Sequence, residues 1–407
     1  MTRNGLAGGA GLIAILGMLT AFGPMSIDLY LPGLPAMADE LGVSSAAAQQ
    51  SLSLFFIGLA AGQLVYGPFS DRYGRRPVLV VSILLYLVSS IMCVIAPTLP
   101  VLLGGRFLQG LGAAAGPVVA RAVIRDVYHG SRAARMLSFV ILVMAVAPLV
   151  APLLGGQIVA TLGWRGIFAA LAGFSVLCLA VVGFALGETN PAQRRSGQRL
   201  GPLFTAYATL LRDREALAFL TAGGMAFGAL FAYVSSSSFI YIQVYGVSPE
   251  AFGGYFALNV MGLVTANVVN GQLVERFGYR RLLRIGATVT LLGSLVLAVT
   301  TTTGFGGLAG LAVPLFFAVG NVGLVGANTV TGLLDGYPDN AGGASALFGF
   351  FQFGIGALAG ALVGVVNISP AVDMAVIMSG CAAVSFTASR YLPQAQTVAE
   401  PACVRST

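Results

Sequence analysis

Asp28 sits in Ser26-Ile27-Asp28-Leu29-Tyr30-Leu31-Pro32, in the outer part of the first long apolar run of this 407-residue chain. An ionised carboxylate is costly there. It persists if it pairs with a cation, faces water or takes up a proton, and the last choice lets it bind and release a proton as its surroundings change. Capping a helix end is the plainer role. Arg106 is the natural partner, about six residues into the fourth apolar run, or roughly 9 Å at helical rise. Asp28 shares that depth if the first run exits around Pro32 to Pro35. A snorkelling arginine is the alternative.

A second constellation spans Gly67 to Pro77. Gly74 permits a tight turn, and Pro77 suits the first turn of a helix. Asp71 can face an arginine or a helix N-terminus, while Arg72, Arg75 and Arg76 can reach Asp126. Such contacts would latch two halves of the molecule shut on that side; a positive-inside anchor is the alternative. Half a chain later, Gly271, Glu275, Arg276, Gly278, Arg280 and Arg281 repeat the pattern. In the fifth run, Pro148 and Pro152 each remove a helix hydrogen bond and should bend the helix. Gly155 and Gly156 there offer a flat packing face.

Tyr30, Gln109, Tyr233, Ser235 to Ser238, Asn259, Asn321, Asn328, Phe351 and Gln352 could line a mostly apolar pocket for an amphipathic small molecule. Each could equally be a helix–helix hydrogen bond.

The elements holding these residues follow from composition. Hydrophobic residues make up 57% and charged residues 9%, far below the roughly 25% charged in soluble domains. Twelve apolar runs can be drawn, near 9–32, 48–69, 77–96, 100–122, 135–158, 165–187, 216–240, 251–273, 282–302, 306–330, 342–366 and 370–391. Each is long enough to cross a bilayer core. The first run is too long for a cleavable signal and reads as the first span. A polar stretch divides six runs from six. The expected parts are a six-helix bundle over 1–190, a linker loop over 191–214 and a second bundle over 215–407.

Two parallel six-helix repeats around a central axis form a transporter arrangement, with the substrate between the halves near mid-membrane. All 21 basic residues are arginine, and the net charge is +7. With the N-terminus cytoplasmic, nearly all of them fall on the cytoplasmic side and Arg165 alone on the other, which is the positive-inside pattern. Both termini are then cytoplasmic. The basic balance reflects topology, and no nucleic-acid partner is expected. Cys93, Cys178, Cys381 and Cys403 show no metal-ligand spacing and read as structural thiols. The lone His129 falls in a loop. No catalytic set, metal site or phosphate loop is visible, so neither an enzyme nor a cofactor is expected.

The stretch at 67–77 resembles the loop 2–3 signature of the major facilitator superfamily. Arg106-Phe-Leu-Gln-Gly110 with Arg125-Asp126 resembles its fourth-helix motif, and Ala147-Pro148 to Gly156 its fifth-helix antiporter motif. With Asp28-x-Tyr30-Leu31-Pro32, the chain is similar to the bicyclomycin-resistance (Bcr/CflA) type of drug:proton antiporter over essentially its whole length. The second loop departs from the signature at Glu275 and at Tyr279, which replaces an arginine.

The resemblance implies an all-α membrane protein of twelve transmembrane helices, in two six-helix bundles related by a pseudo-twofold. It implies a monomer in the bacterial inner membrane working by alternating access, which exchanges protons for chloramphenicol- or bicyclomycin-like drugs. An exporter of an endogenous metabolite such as an amino acid, with incidental drug transport, is the alternative. By motif position, Asp28 would bind proton or substrate and Arg106 would tune its protonation. Asp71, Arg72, Arg75 and Asp126 would stabilise the outward-open form.

Overall fold

The computed structural model describes residues 9–194, 201–366 and 368–393; Arg3, Arg195, Arg199, Cys403 and Arg405 lie outside them. The first half comprises α1 Gly9–Asp28, a 3-10 turn Leu31–Gly33, α2 Leu34–Leu41, α3 Ser45–Tyr73, α4 Arg75–Val94, α5 Leu99–Ala113, α6 Ala115–Val127 and α7 Gly130–Ala185. After α8 Gly201–Arg212 come α9 Arg214–Ser238, a π-helical turn Phe239–Val244, α10 Pro249–Phe277, α11 Tyr279–Thr303, α12 Gly307–Gly336, α13 Ala341–Val366 and α14 Pro370–Tyr391. Eleven of the described stretches are long and apolar enough to span a bilayer. One of them, in α7, is two spans joined where Gly163 leaves helical geometry at φ 70°. That gives twelve spans in two bundles of six. Val81, Val88, Phe184, Leu292 and Val299 point outward, as lipid contact requires.

One expectation, that of a loop linker, needs correction. At Pro32 to Pro35, where the first span is expected to exit, Leu31, Pro32, Gly33 and Leu34 are buried, and a 3-10 turn leads into α2. Both prolines fall in first turns, where a missing N–H costs nothing. The linker expected as a loop contains α8. Tyr207 and Leu210, three residues apart, bury one of its faces, and Tyr207 donates to the Leu64 carbonyl of α3. In α7, helical geometry continues through Pro148 and Pro152, and the break falls at Gly163.

That break is clamped. Trp164 Nε1 donates to Glu40 Oε2 at 2.7 Å, and Arg165 forms an ion pair with the same carboxylate. The Arg165 guanidinium lies 4.1 Å from the indole centroid.

Glycine sets the helix spacing. A Cβ on Gly110 would stand 2.0 Å from the Phe55 carbonyl oxygen, and one on Gly116 1.9 Å from that of Leu19. Backbones this close gain dispersion contact, the main attraction between helices in lipid. Between the halves, α3 lies along α13, where Gly364 meets Ala46, Gly360 meets Ser53 and Gly349 meets Gln63. The first arm of α7 meets α10 at the arginine-poor end, where Gly156 abuts the Pro249 carbonyl and Gly253 abuts Leu153. The halves therefore close at the arginine-poor end, and a cavity of about 620 Å³ separates them at the arginine-rich end.

In the second half, Asp213 caps α9 by accepting from the N–H groups of Glu215 and Ala216. The Tyr337 hydroxyl also donates to it. This bond, and then the Ala216 N–H, hold the Asp213 carboxyl below the usual carboxylate range. The contribution is present above the unfolded value near ~4 and lost as pH falls through the lowered folded value. Asp213→Ala should cost about 1 kcal/mol at neutral pH, and the gap to wild type in a thermal melt should shrink in acid. Gly110→Ala should lower the yield of folded, monodisperse protein severely. Gly173→Ala, where a Cβ meets nothing within 4 Å, should be neutral in the same assay.

Candidate functional site

Arg106 is fully buried inside the first half. Its Nη1 donates to Gln109 Oε1 at 2.5 Å and its Nη2 to the Ser26 carbonyl at 3.1 Å. Gln109 Nε2 donates in turn to Ser90 Oγ at 2.8 Å. The guanidinium lies 4.3 Å from the Phe55 ring centroid, 4.7 Å from Tyr30 and 5.6 Å from Phe168. Its Nε has no hydrogen-bond partner among the described residues. Rings, a carbonyl and an amide thus surround the charge, and cation–π attraction strengthens once water is excluded.

Asp28 does not pair with Arg106. It is the last residue of α1 and 6% exposed, and among the described residues no hydrogen bond or ion pair reaches its carboxylate. The expected partner is level with it along α1 but grips the backbone two residues earlier. Asp28 lies within electrostatic reach of Tyr233 in the other half. The adjoining Leu29 carbonyl is where a Cβ on Gly155 would collide, at 2.2 Å. Gly155 and Gly156 therefore do different things: the first seats the fifth span beside Asp28, and the second touches the opposite half.

The charged turn is completed within the first half and does not bridge the halves. Gly74 adopts φ 103°, which favours glycine, and ends α3. Arg75 then reaches Asp71 at 2.6 Å, Asp126 at 2.9 Å and Ser70 at 2.7 Å. Glu188, after the sixth span, accepts from the backbone N–H groups of Arg75 and Arg76 and so caps α4. Arg76 also donates to the Gly183 carbonyl, and Arg72 stacks on Tyr73. The reason is reach: Asp126 ends α6 beside the start of α4, while the second half lies across the cavity. In the second copy, Tyr279 donates to Asp335 at 3.1 Å and Arg280 pairs with Glu215 at 2.6 Å.

None of the residues expected to line a pocket lines the 620 Å³ cavity. Tyr30, bonded to Ser51 at 3.1 Å, and Gln109 belong to the shell of Arg106. Tyr233 accepts from Asn259 Nδ2 at 2.9 Å, both buried. Phe351 and Gln352 are partly buried on α13, and Phe351 packs against Gly224. Asn321 lies in a separate groove with Phe316 and Phe317. The structure brings Tyr233 and Asn259 to the Asp28 side of the interface, but not Asn321. The cavity is lined instead by Gly67, Asp71 and Arg75 of the turn, with Gln63, Arg121, Arg125, Tyr128, Tyr207 and the start of α13. Arg121 is one of the cytoplasmic-side arginines of the positive-inside pattern, which by itself assigns it no place on a cavity; its position inside the span Leu99–Val127 was the clue. Gln63, polar within the second apolar run, carried the same signal.

A family model described as Major Facilitator Superfamily matches residues 14–361. Among curated proteins, the chain is 36% identical over 371 residues to the "Uncharacterized MFS-type transporter YdgK" of Bacillus subtilis, covering 90% of this chain and 91% of that one. It is 31% identical to the "Bicyclomycin resistance protein homolog" of Haemophilus influenzae, covering 93% and 95%. It is 30% identical to the "Chloramphenicol resistance protein" of Pseudomonas aeruginosa, covering 83% and 80%. Among solved structures, the xylose transporter XylE from E. coli superposes with a TM-score of 0.73 at 16% identity, covering 95% and 98%, a likeness of fold. The chain is a member of the major facilitator superfamily, a multi-pass membrane transporter and not an enzyme.

Proposed function

We propose that the chain exports small amphipathic drugs across the bacterial inner membrane in exchange for protons, as a monomer with its arginine-rich face and both termini in the cytoplasm. The names of the relatives point to chloramphenicol- and bicyclomycin-like cargo, and the arginine asymmetry supports the orientation.

The observation that carries the reading is Asp28, a buried carboxyl without a partner among the described residues, at the closed end of the interface. A neutral carboxyl fits packed helices; a charged one calls for water. External water reaches it when the halves part at that end, and a proton taken up there neutralises Asp28 and lets the outer end close. The cavity then faces the cytoplasm and admits cargo, and loss of the proton to the cytoplasmic side favours reopening outward. Arg106 acts on Asp28 through the α1 backbone, by fixing the Ser26 carbonyl. On the arginine-rich side, Asp71 fronts the cavity with its side chain 45% exposed and is the group placed to meet the second half when that side shuts.

In inverted vesicles, Asp28→Asn should reduce drug-evoked proton release to the level of vesicles lacking the protein; survival of both efflux and proton release would overturn the coupling role. A Cβ on Gly156 would stand 2.5 Å from the Pro249 carbonyl oxygen, so Gly156→Leu should hold the outer end open. Ser45→Cys in a cysteine-free background should then react several-fold faster with an impermeant maleimide applied from outside. An unchanged rate would refute the gate at Gly156.

A further inference from the structure

The wall of the cavity carries an unbalanced charge. Asp71 is the only acid among its lining residues, and Arg75 already holds it at 2.6 Å. Arg75 has a second acid in Asp126. Arg121 has neither. Its side chain is exposed on the cavity wall of α6, and its one hydrogen bond among the described residues runs from Nε to the Pro117 carbonyl of its own helix, at 3.1 Å. Its terminal nitrogens, four N–H donors in all, have no hydrogen-bond partner among the described residues. Arg125, one turn on and also lining it, has no acid partner among the described residues either. The facing wall from the second half is neutral: Leu334, Ala341, Gly343, Ser345 and Ala346.

Ionised groups within membrane spans ordinarily pair with one another or mark a pathway. An arginine serving only as a topology anchor reaches headgroups from the lipid side of a bundle. Arg121 faces the gap between the halves instead, in a space of about 620 Å³ that matches a drug-sized ligand. We propose that Arg121 is a specificity-determining residue that takes the carboxylate or phosphate of an amphipathic organic anion entering from the arginine-rich side. The planar guanidinium suits such a group by a forked pair of hydrogen bonds, and small neutral residues opposite leave room for an apolar body. This rests on the reading of the cavity as the cargo chamber. Soluble organic acids and acidic lipid headgroups share the required chemistry.

The test uses the full-length protein in phosphatidylcholine nanodiscs, titrated with 4-phenylbutyrate and with its neutral amide, with affinity read from the thermal shift. Wild type should bind the acid roughly tenfold more tightly than the amide, the weight of one charge-assisted contact. Arg121→Gln should lose that preference yet still bind the amide, which shows that the fold and the chamber persist. Arg121→Lys should keep part of it, because a point charge attracts without forking. Equal binding of both probes by wild type, or an undiminished preference in Arg121→Gln, would overturn the proposal. Binding of neither probe would overturn the cargo-chamber reading and the proposal with it. Adding phosphatidylglycerol separates the sources. Loss of the acid's advantage in wild type alone identifies a lipid headgroup as the occupant, and an unchanged advantage identifies a soluble acid.

Discussion

A guanidinium sealed among helices without an acid is the constraint on which the first half depends. An uncompensated buried charge is expensive, so its surroundings must be assembled closely. Arg106 of α5 draws on Ser26 and Tyr30 at the end of the first span, Phe55 of α3, Phe168 beyond the Gly163 break and, through Gln109, Ser90 of α4. Five spans are thereby registered around one side chain. Gly110, one turn from Arg106, brings α5 against the Phe55 carbonyl and keeps that ring near the cation. Because carbonyl, amide and rings carry the compensation, Asp28 is not consumed as a counter-ion.

The two halves repeat one plan with different strengths. Gly74 and Gly278 both take positive φ at the turn between a second and a third helix. Arg75 clasps Asp71 and Asp126 on one side, while Tyr279 reaches Asp335 through a neutral hydroxyl on the other. Both bonds are charge-assisted through the carboxylate, but Arg75 adds an ionised donor shared between two acids. Its side chain is 4% exposed, against 21% for Arg280 in the ion pair with Glu215, so the pairing in the first half is less screened.

Much of this was legible in the chain. Twelve apolar runs, the internal repeat and the arginine asymmetry define the architecture, because a bilayer leaves few ways to satisfy a backbone. Asp28 and Arg106 stood out because charges inside spans are rare. Their mutual geometry did not follow, since depth along a helix says nothing of which way a side chain turns. The pocket residues fared worst. Tyr30 and Gln109 are polar members of an arginine shell, and in sequence a helix–helix hydrogen bond looks the same as a ligand contact. The α8 helix was hidden by its polar surroundings, its apolar residues being too few to register as a span.

The clamp at Gly163 has an optical consequence. Trp164 is the sole tryptophan of the chain, and its indole is at once a donor to Glu40 and a platform for the Arg165 cation. Excited at the red edge of indole absorption, where the thirteen tyrosines absorb little, the emission of this protein therefore arises from one known address at the sealed extremity of the first bundle. Any rearrangement that loosens Glu40 alters the polarity and the charge beside that single emitter, so the carrier comes with its own intrinsic fluorophore, needing no label.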